Sequence, residues 1–205
     1  MQNLARFFSY IFHPVFIPVY MLLLVYGSDP YLQYIIPQSR MKPLIWLLLI
    51  NTVIMPLITF FYLKNKGVFT SMFLEKKEER KIGIIILFLF HLVTYILWRK
   101  LELPTSFVSL FFGILISLVF AYFITNYFKI SLHTMAFGGI VGALAGLYRV
   151  HGFIDYSILA AAILGLGVIA TSRLILNAHR PIEINLGALS GLIILYLSTG
   201  FYLHL

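Results

Sequence analysis

The sequence predicts an all-α integral membrane protein, a bundle of about six to seven transmembrane helices, and three observations predict it. Apolar residues make up 61% of the 205-residue chain and charged ones 11%. A soluble domain carries about 25% charged residues, so too little ionic surface remains here to keep the chain dispersed in water. Broken at its charged and Pro/Gly-rich stretches, the chain falls into seven apolar runs, most of them near the ~20 residues that cross a bilayer. Stretches such as IGIIILFLF and SLVFAYFI do not alternate apolar with polar residues, which excludes a transmembrane barrel.

The first run, residues 11–27, follows Arg6 as a signal peptide would. It is longer than a signal's apolar core and ends in YGSDP instead of a small-residue cleavage site, so it reads as a span. Pro14 and Pro18 lie in its first turns, where proline is tolerated. The second run, 43–63, carries Pro56, a kink or a helix start. The third, 82–98, contains His91, the clearest ionisable group inside any span. It reads as a hydrogen-bonded packing residue, and the scarcity of such groups argues against a channel or secondary transporter. The fourth run covers 104–128 and the fifth 133–148, where Gly138, Gly142 and Gly146 recur every four residues. The sixth is 153–171, and the seventh, 184–203, carries Gly187 and Gly191 at the same spacing. Small residues so spaced make a groove that another helix can approach closely. No internal repeat divides the chain, so residues 1–205 form a single transmembrane domain.

The chain has no cysteine, which excludes disulfides, thiolate metal ligands and a cysteine nucleophile. Its formal charge of +8 is unevenly placed. If all seven runs span, Arg6, Lys64, Lys66, Lys76, Lys77, Arg80, Lys81, Lys129, Arg173 and Arg180 share one face. The opposite face holds Arg40, Lys42, Arg99, Lys100 and Arg149. Positive residues collect on the cytoplasmic side, but cations kept for chemistry are not topogenic, so the count does not assign orientation. His13, His151 and His204 are explained by interfacial placement, and the pairs Asp155 with Arg149 and Glu102 with Arg99 by local charge balance.

Three polar stretches lie at span ends on the cation-rich face: EKKEERK at 75–81, SLH at 131–133 and SRLILNAHRPIE at 172–183. Polar groups near the hydrocarbon are costly unless they reach water or one another, so convergence gives them a reason to be there. His179 and Glu183 are one helical turn apart, with Pro181 between them at a position suited to a first turn. The carboxylate can then fix the imidazole tautomer and raise its basicity. Such an imidazole, near Arg173 and Arg180 at a helix start, is suited to attack a phosphoryl group. Ser131 and His133 offer a hydroxyl and a second imidazole, a candidate general acid. Lys76, Lys77 and Arg80, spaced at three and four, project from one helical face and can clasp a phosphate; taken singly, a solvated mixed-charge run laced by i,i+4 pairs is the usual meaning of such a stretch.

Together these stretches resemble the type-2 phosphatidic acid phosphatase superfamily of membrane lipid phosphatases, whose motifs run K-x6-R-P, P-S-G-H and S-R-x5-H-x3-D. The third is matched as Ser172-Arg173-x5-His179-x3-Glu183, with Glu for Asp. The second survives as Ile130-Ser131-Leu132-His133. The first keeps only Arg80, with Lys81 for its proline and Phe73 at its lysine position. The motif-bearing core is residues 75–190.

The resemblance implies metal-independent, cofactor-free hydrolysis of a phosphate ester or anhydride through a phosphohistidine. His179 would be the nucleophile, Glu183 its orienter and His133 the acid. Arg173, Ser131 and Arg80 would hold the phosphate, with Lys77 or Lys76 replacing the lost lysine, and Ser172 and Arg180 completing the set. The implied partners are a phosphorylated lipid substrate and membrane lipids, not nucleic acid. The implied site is the extracytoplasmic face of a bacterial-type inner membrane. A catalytically inactive phospholipid-binding or lipid-translocating relative fits the same residues.

Overall fold

A computed structural model describes residues 1–71, 74, 76–153 and 155–201. Phe73, Glu75 and His204 lie outside the described residues. The described chain is helical, without strands: α1 (Gln2–Ile11), α2 (Ile17–Ser28), α3 (Pro30–Ile35), α4 (Gln38–Leu48), α5 (Met55–Asn65), α6 (Lys77–Lys100), α7 (Thr105–Ile124), α8 (Leu132–His151), α9 (Tyr156–Ile175) and α10 (Pro181–Phe201). Among the described residues, six helical segments are long and apolar enough to cross a membrane: Gln2–Ser28, Gln38–Asn65, α6, α7, α9 and α10. The protein is an integral membrane protein built as an all-α bundle.

The seventh long helix, α8, is the centre of the bundle. Twelve of its 20 residues are buried, whereas α9 buries only Ala162, Ile169 and Ser172. Glycine explains the difference. A Cβ at Gly138 would overlap the Ala188 carbonyl, one at Gly142 the Leu192 carbonyl, and one at Gly191 the Met135 carbonyl. The backbones of α8 and α10 therefore touch along the four-residue glycine rows, and small residues replace the bulk that a lipid-facing helix would carry. Leu89, Leu164, Leu189, Ile193 and Leu197 are exposed on the outer helices, where hydrocarbon covers them.

The first span begins earlier than its apolar run and is broken. Proline disfavours the helical conformation in the residue before it, and His13 is extended (φ −65°, ψ 138°) ahead of Pro14. His13 Nδ1 accepts the Val15 N–H at 3.3 Å and caps a 3-10 turn over Pro14–Phe16. The second span is distorted at Leu49–Ile54, which is π-helical just before Pro56. Proline supplies no N–H to the preceding turn, and the register slips there. Asn51 Nδ2 uses the opening to reach the Phe90 carbonyl of α6 at 2.9 Å and Thr94 Oγ1. His91 is buried, with Nδ1 2.7 Å from the Leu87 carbonyl, a helix-packing residue. Asp155 caps α9 through the Ser157 N–H at 2.8 Å, and Arg149 stacks on the Phe201 ring at 4.2 Å, so those two are not a pair.

Candidate functional site

The ends of four helices are tied together at one end of the bundle by polar contacts to the backbone. The Ser131 N–H donates to the Glu183 carbonyl at 3.1 Å, joining the starts of α8 and α10. His179 Nδ1 donates to the Lys129 carbonyl at 2.9 Å, and Arg80 Nη2 donates to the carbonyl of Ile130. Around this junction a cavity of about 550 Å³ opens. Arg80 from the first turn of α6, His133 from the first turn of α8, Arg173 from the last turn of α9 and His179 from the α9–α10 connection all line it.

His179 is held on one side only. Its Nδ1 contacts two acceptors, the Lys129 carbonyl and Glu183 Oε2 at 3.3 Å, so this nitrogen carries the hydrogen in the neutral ring. Nε2 then holds the lone pair. Glu183 is itself fixed: Oε2 accepts the Arg180 N–H at 3.1 Å and Oε1 accepts Arg180 Nε–H at 3.1 Å. A glutamate at the third helical position reaching back to the N-cap N–H is half of a capping box, which a shorter aspartate makes less readily. Burial, aided by the positive charges of Arg173 and Arg80, pushes the His179 pKa down to about 4. The imidazole is therefore neutral at physiological pH.

His133 Nε2 donates to the Ser9 carbonyl at 3.3 Å, which leaves Nδ1 with its lone pair. Arg80 and Arg173 each bury an Nε–H that meets no acceptor among the described residues. Two guanidinium edges at the cavity thus retain donors, the arrangement that binds phosphate oxygens. No carboxylate lines the cavity among the described residues, and Lys64 adds a third cation.

Five residues expected at the phosphate do not line the cavity. Ser131 is fully buried as the N-cap of α8, its Oγ accepting the Thr134 N–H at 3.4 Å. Capping occupies the hydroxyl the motif would have lent to substrate. Ser172 donates to the Val168 carbonyl at 2.8 Å and faces a groove between α1 and α9. One residue along a helix is a rotation of about 100°, so Ser172 and Arg173 point apart. Lys76 precedes α6 in an extended conformation (ψ 142°), where helical spacing no longer aligns it with Arg80. It pairs with Glu79 at 3.6 Å. Lys77 is exposed and reaches the Asn126 carbonyl at 3.3 Å, and Arg180 is spent on Glu183.

Three lining residues escaped the sequence. His13, read as interfacial, packs its ring against His133 with centroids 5.3 Å apart, and Tyr10 and Lys64 join it on the wall. A histidine directly before proline inside an apolar run was the available signal, because that pair must break the helix. Leu57, Phe60, Leu87 and Leu132 give the same cavity an apolar wall. A further apolar cavity of about 80 Å³ shares Pro14, Leu87 and Leu132 with it. Comparisons of the chain with protein families, with characterised proteins and with solved structures find no match.

Proposed function

We propose that the protein is a metal-independent membrane lipid phosphatase, hydrolysing a lipid phosphate ester or a polyprenyl diphosphate through a phosphohistidine. The observation that carries this reading is the meeting of His179, His133, Arg80 and Arg173 on one cavity, with His179 Nδ1 occupied and Nε2 left to react.

The residues divide the reaction among them. Arg80 and Arg173 take the non-bridging oxygens and neutralise charge as the phosphoryl group transfers. His179 Nε2 attacks phosphorus, and Glu183 stabilises the charge that develops at Nδ1–H. His133 Nδ1, which holds a lone pair, takes the proton of the monoanionic phosphoryl group and passes it to the leaving oxygen; water then cleaves the phosphohistidine, its proton passing through His133 Nδ1 to the released phosphate. The apolar wall of Leu57, Phe60, Leu87 and Leu132 accommodates the first part of a lipid tail while the phosphate stays at the mouth. The site faces the extracytoplasmic side of a bacterial-type inner membrane, which the motif resemblance supports.

The test is phosphate release by the purified protein, in EDTA, from phosphatidate, phosphatidylglycerophosphate and a polyprenyl diphosphate. Release from at least one of them, lost in His179→Ala, is the expected result. Headgroup binding without release from any of them would instead mark an inactive lipid-binding protein. Full activity in His179→Ala would sink the phosphohistidine.

A further inference from the structure

The far end of α8 carries a second polar cluster that the phosphatase reading does not use. His151 is the last residue of α8 and His133 the second, so the two lie about 27 Å apart along the axis. That distance nearly matches the hydrocarbon thickness and sets His151 at the opposite bilayer surface, where lipid ester carbonyls lie.

Three side chains meet there in sequence. Asp29 is buried between α2 and α3, and its Oδ1 caps α3 by accepting the N–H groups of Tyr31 at 2.9 Å and Leu32 at 3.4 Å. The cap holds the carboxylate in one orientation and leaves Oδ2 to contact His151 Nδ1. An ionised carboxylate only accepts, so the imidazole carries its hydrogen on Nδ1. The Nε2 lone pair then faces Ser106 Oγ at 3.3 Å, within reach of its hydroxyl hydrogen. The Tyr31 ring stands edge-on to the imidazole, centroids 5.3 Å apart, and restricts its rotation.

Ser106 lies in the first turn of α7, where N–H groups have no intrahelical acceptor. A cavity of about 460 Å³ opens over Ser106 and His151, walled by Tyr31, Ile35, Pro104 and Thr105. Among the described residues no lysine or arginine lines it, unlike the cavity at the other end, so its chemistry is not suited to a phosphate.

We propose that Ser106, His151 and Asp29 form a second catalytic site, a nucleophile–base–carboxylate triad that cleaves a carboxylic ester of a membrane lipid. Ser106 Oγ bonds to the carbonyl carbon while its proton passes to His151 Nε2, and the carbonyl π pair moves to oxygen. The Thr105 and Ser106 N–H groups, in the first turn of α7 and without intrahelical acceptors, are the donors assigned to that oxyanion. Collapse expels the alkoxide, which takes the proton from His151 and leaves as an alcohol. Water, deprotonated by His151, then attacks the acyl-Ser106 and releases a carboxylic acid. One ester and one water give one acid and one alcohol, with no metal or redox partner.

The experiment is labelling of the full-length protein in detergent by a fluorophosphonate–biotin probe, with the modified residue mapped by peptide mass spectrometry. The expected product is a phosphonyl group on Ser106, absent from Ser106→Ala and at least tenfold slower in Asp29→Asn. Hydrolysis of p-nitrophenyl butyrate should follow the same order. Site mapping on the wild-type protein needs no variant to fold. Labelling of a serine other than 106, or none above the Ser106→Ala level, would overturn the triad. Phosphate release is measured on the same preparation, so loss of either activity alone identifies which of the two readings has failed.

Discussion

Nδ1 of His179 lies 3.3 Å from Oε2 of Glu183, one helical turn further along, and 2.9 Å from the Lys129 carbonyl. Two acceptors on one nitrogen settle the tautomer, so Nε2 is the atom left with a lone pair and the nucleophile under the proposed mechanism. His179→Ala therefore lowers phosphate release by at least the 10²–10⁴-fold typical of losing a positioned catalytic group. Glu183→Gln keeps the shape but weakens the hold on Nδ1–H, and a displacement near 1 Å is enough to lower kcat about a hundredfold. Steady-state kinetics on both variants, with KM little changed in Glu183→Gln, checks this.

The pH response follows from the depressed His179 pKa of about 4. At pH 5 an unshifted imidazole near 6.5 would be only about 3% neutral, whereas His179 is about 90% neutral. Phosphate release attributable to the nucleophile thus persists from pH 7 to pH 5 and falls as pH drops through about 4. Stability moves in the same direction. The folded state favours neutral His179, so its contribution is complete above the unfolded pKa near 6.5 and is lost as pH falls towards 4. A pH–rate profile and melting temperatures across that window test both; a rate that collapses between pH 7 and 6 would contradict the assignment.

Arg173 lines the cavity and buries an Nε–H that meets no acceptor among the described residues. Lysine keeps the charge but not the fork, so Arg173→Lys should raise KM for a lipid phosphate about tenfold, and Arg173→Ala by more. Inorganic phosphate should weaken as a competitive inhibitor to a similar degree. An unchanged KM in both variants would remove Arg173 from the site.

Helix packing supplies a prediction independent of chemistry. A side chain at Gly191 would overlap the Met135 carbonyl, while a Cβ at Gly167 meets nothing within 4 Å. Gly191→Val should destabilise the protein by about 1–3 kcal/mol or prevent its folding. Gly167→Ala should be neutral or slightly stabilising, because alanine costs less helix entropy. Thermal unfolding in detergent distinguishes the two.

Orientation can be read directly, since the chain has no cysteine of its own. Lys66 is exposed beyond the end of α5, on the side of the cavity. With the cavity facing outward, Lys66→Cys reacts with a membrane-impermeant maleimide in intact cells. Labelling only after lysis would place the site on the cytoplasmic side.

The seven apolar runs, the glycine rows and the one-turn spacing of His179 and Glu183 were legible along the chain because each depends on local periodicity. Helical pitch alone brings residues four apart together, and a run of about 20 apolar residues needs no partner to declare itself. The fates of Ser131 and Lys76 were not legible. Whether a hydroxyl caps its own helix or faces a cavity, and whether a lysine falls inside or before the first turn, depends on where the helix starts to within one residue.

By itself, then, the sequence determined the solvent, the helices and the histidine–glutamate pair, all properties of short segments. Only the tertiary structure decided which helix is central and which polar groups meet. The α8–α10 glycine contact sets the starts of those two helices side by side, and Arg80 from α6 and Arg173 from α9 line the same cavity as His133 and His179 there. The same helix carries His151 to the other end, where it meets Asp29 and Ser106. The two contacts of His151 join residues 45 and 122 positions apart in the chain. No local pattern encodes them, because they arise from the close approach of whole helices.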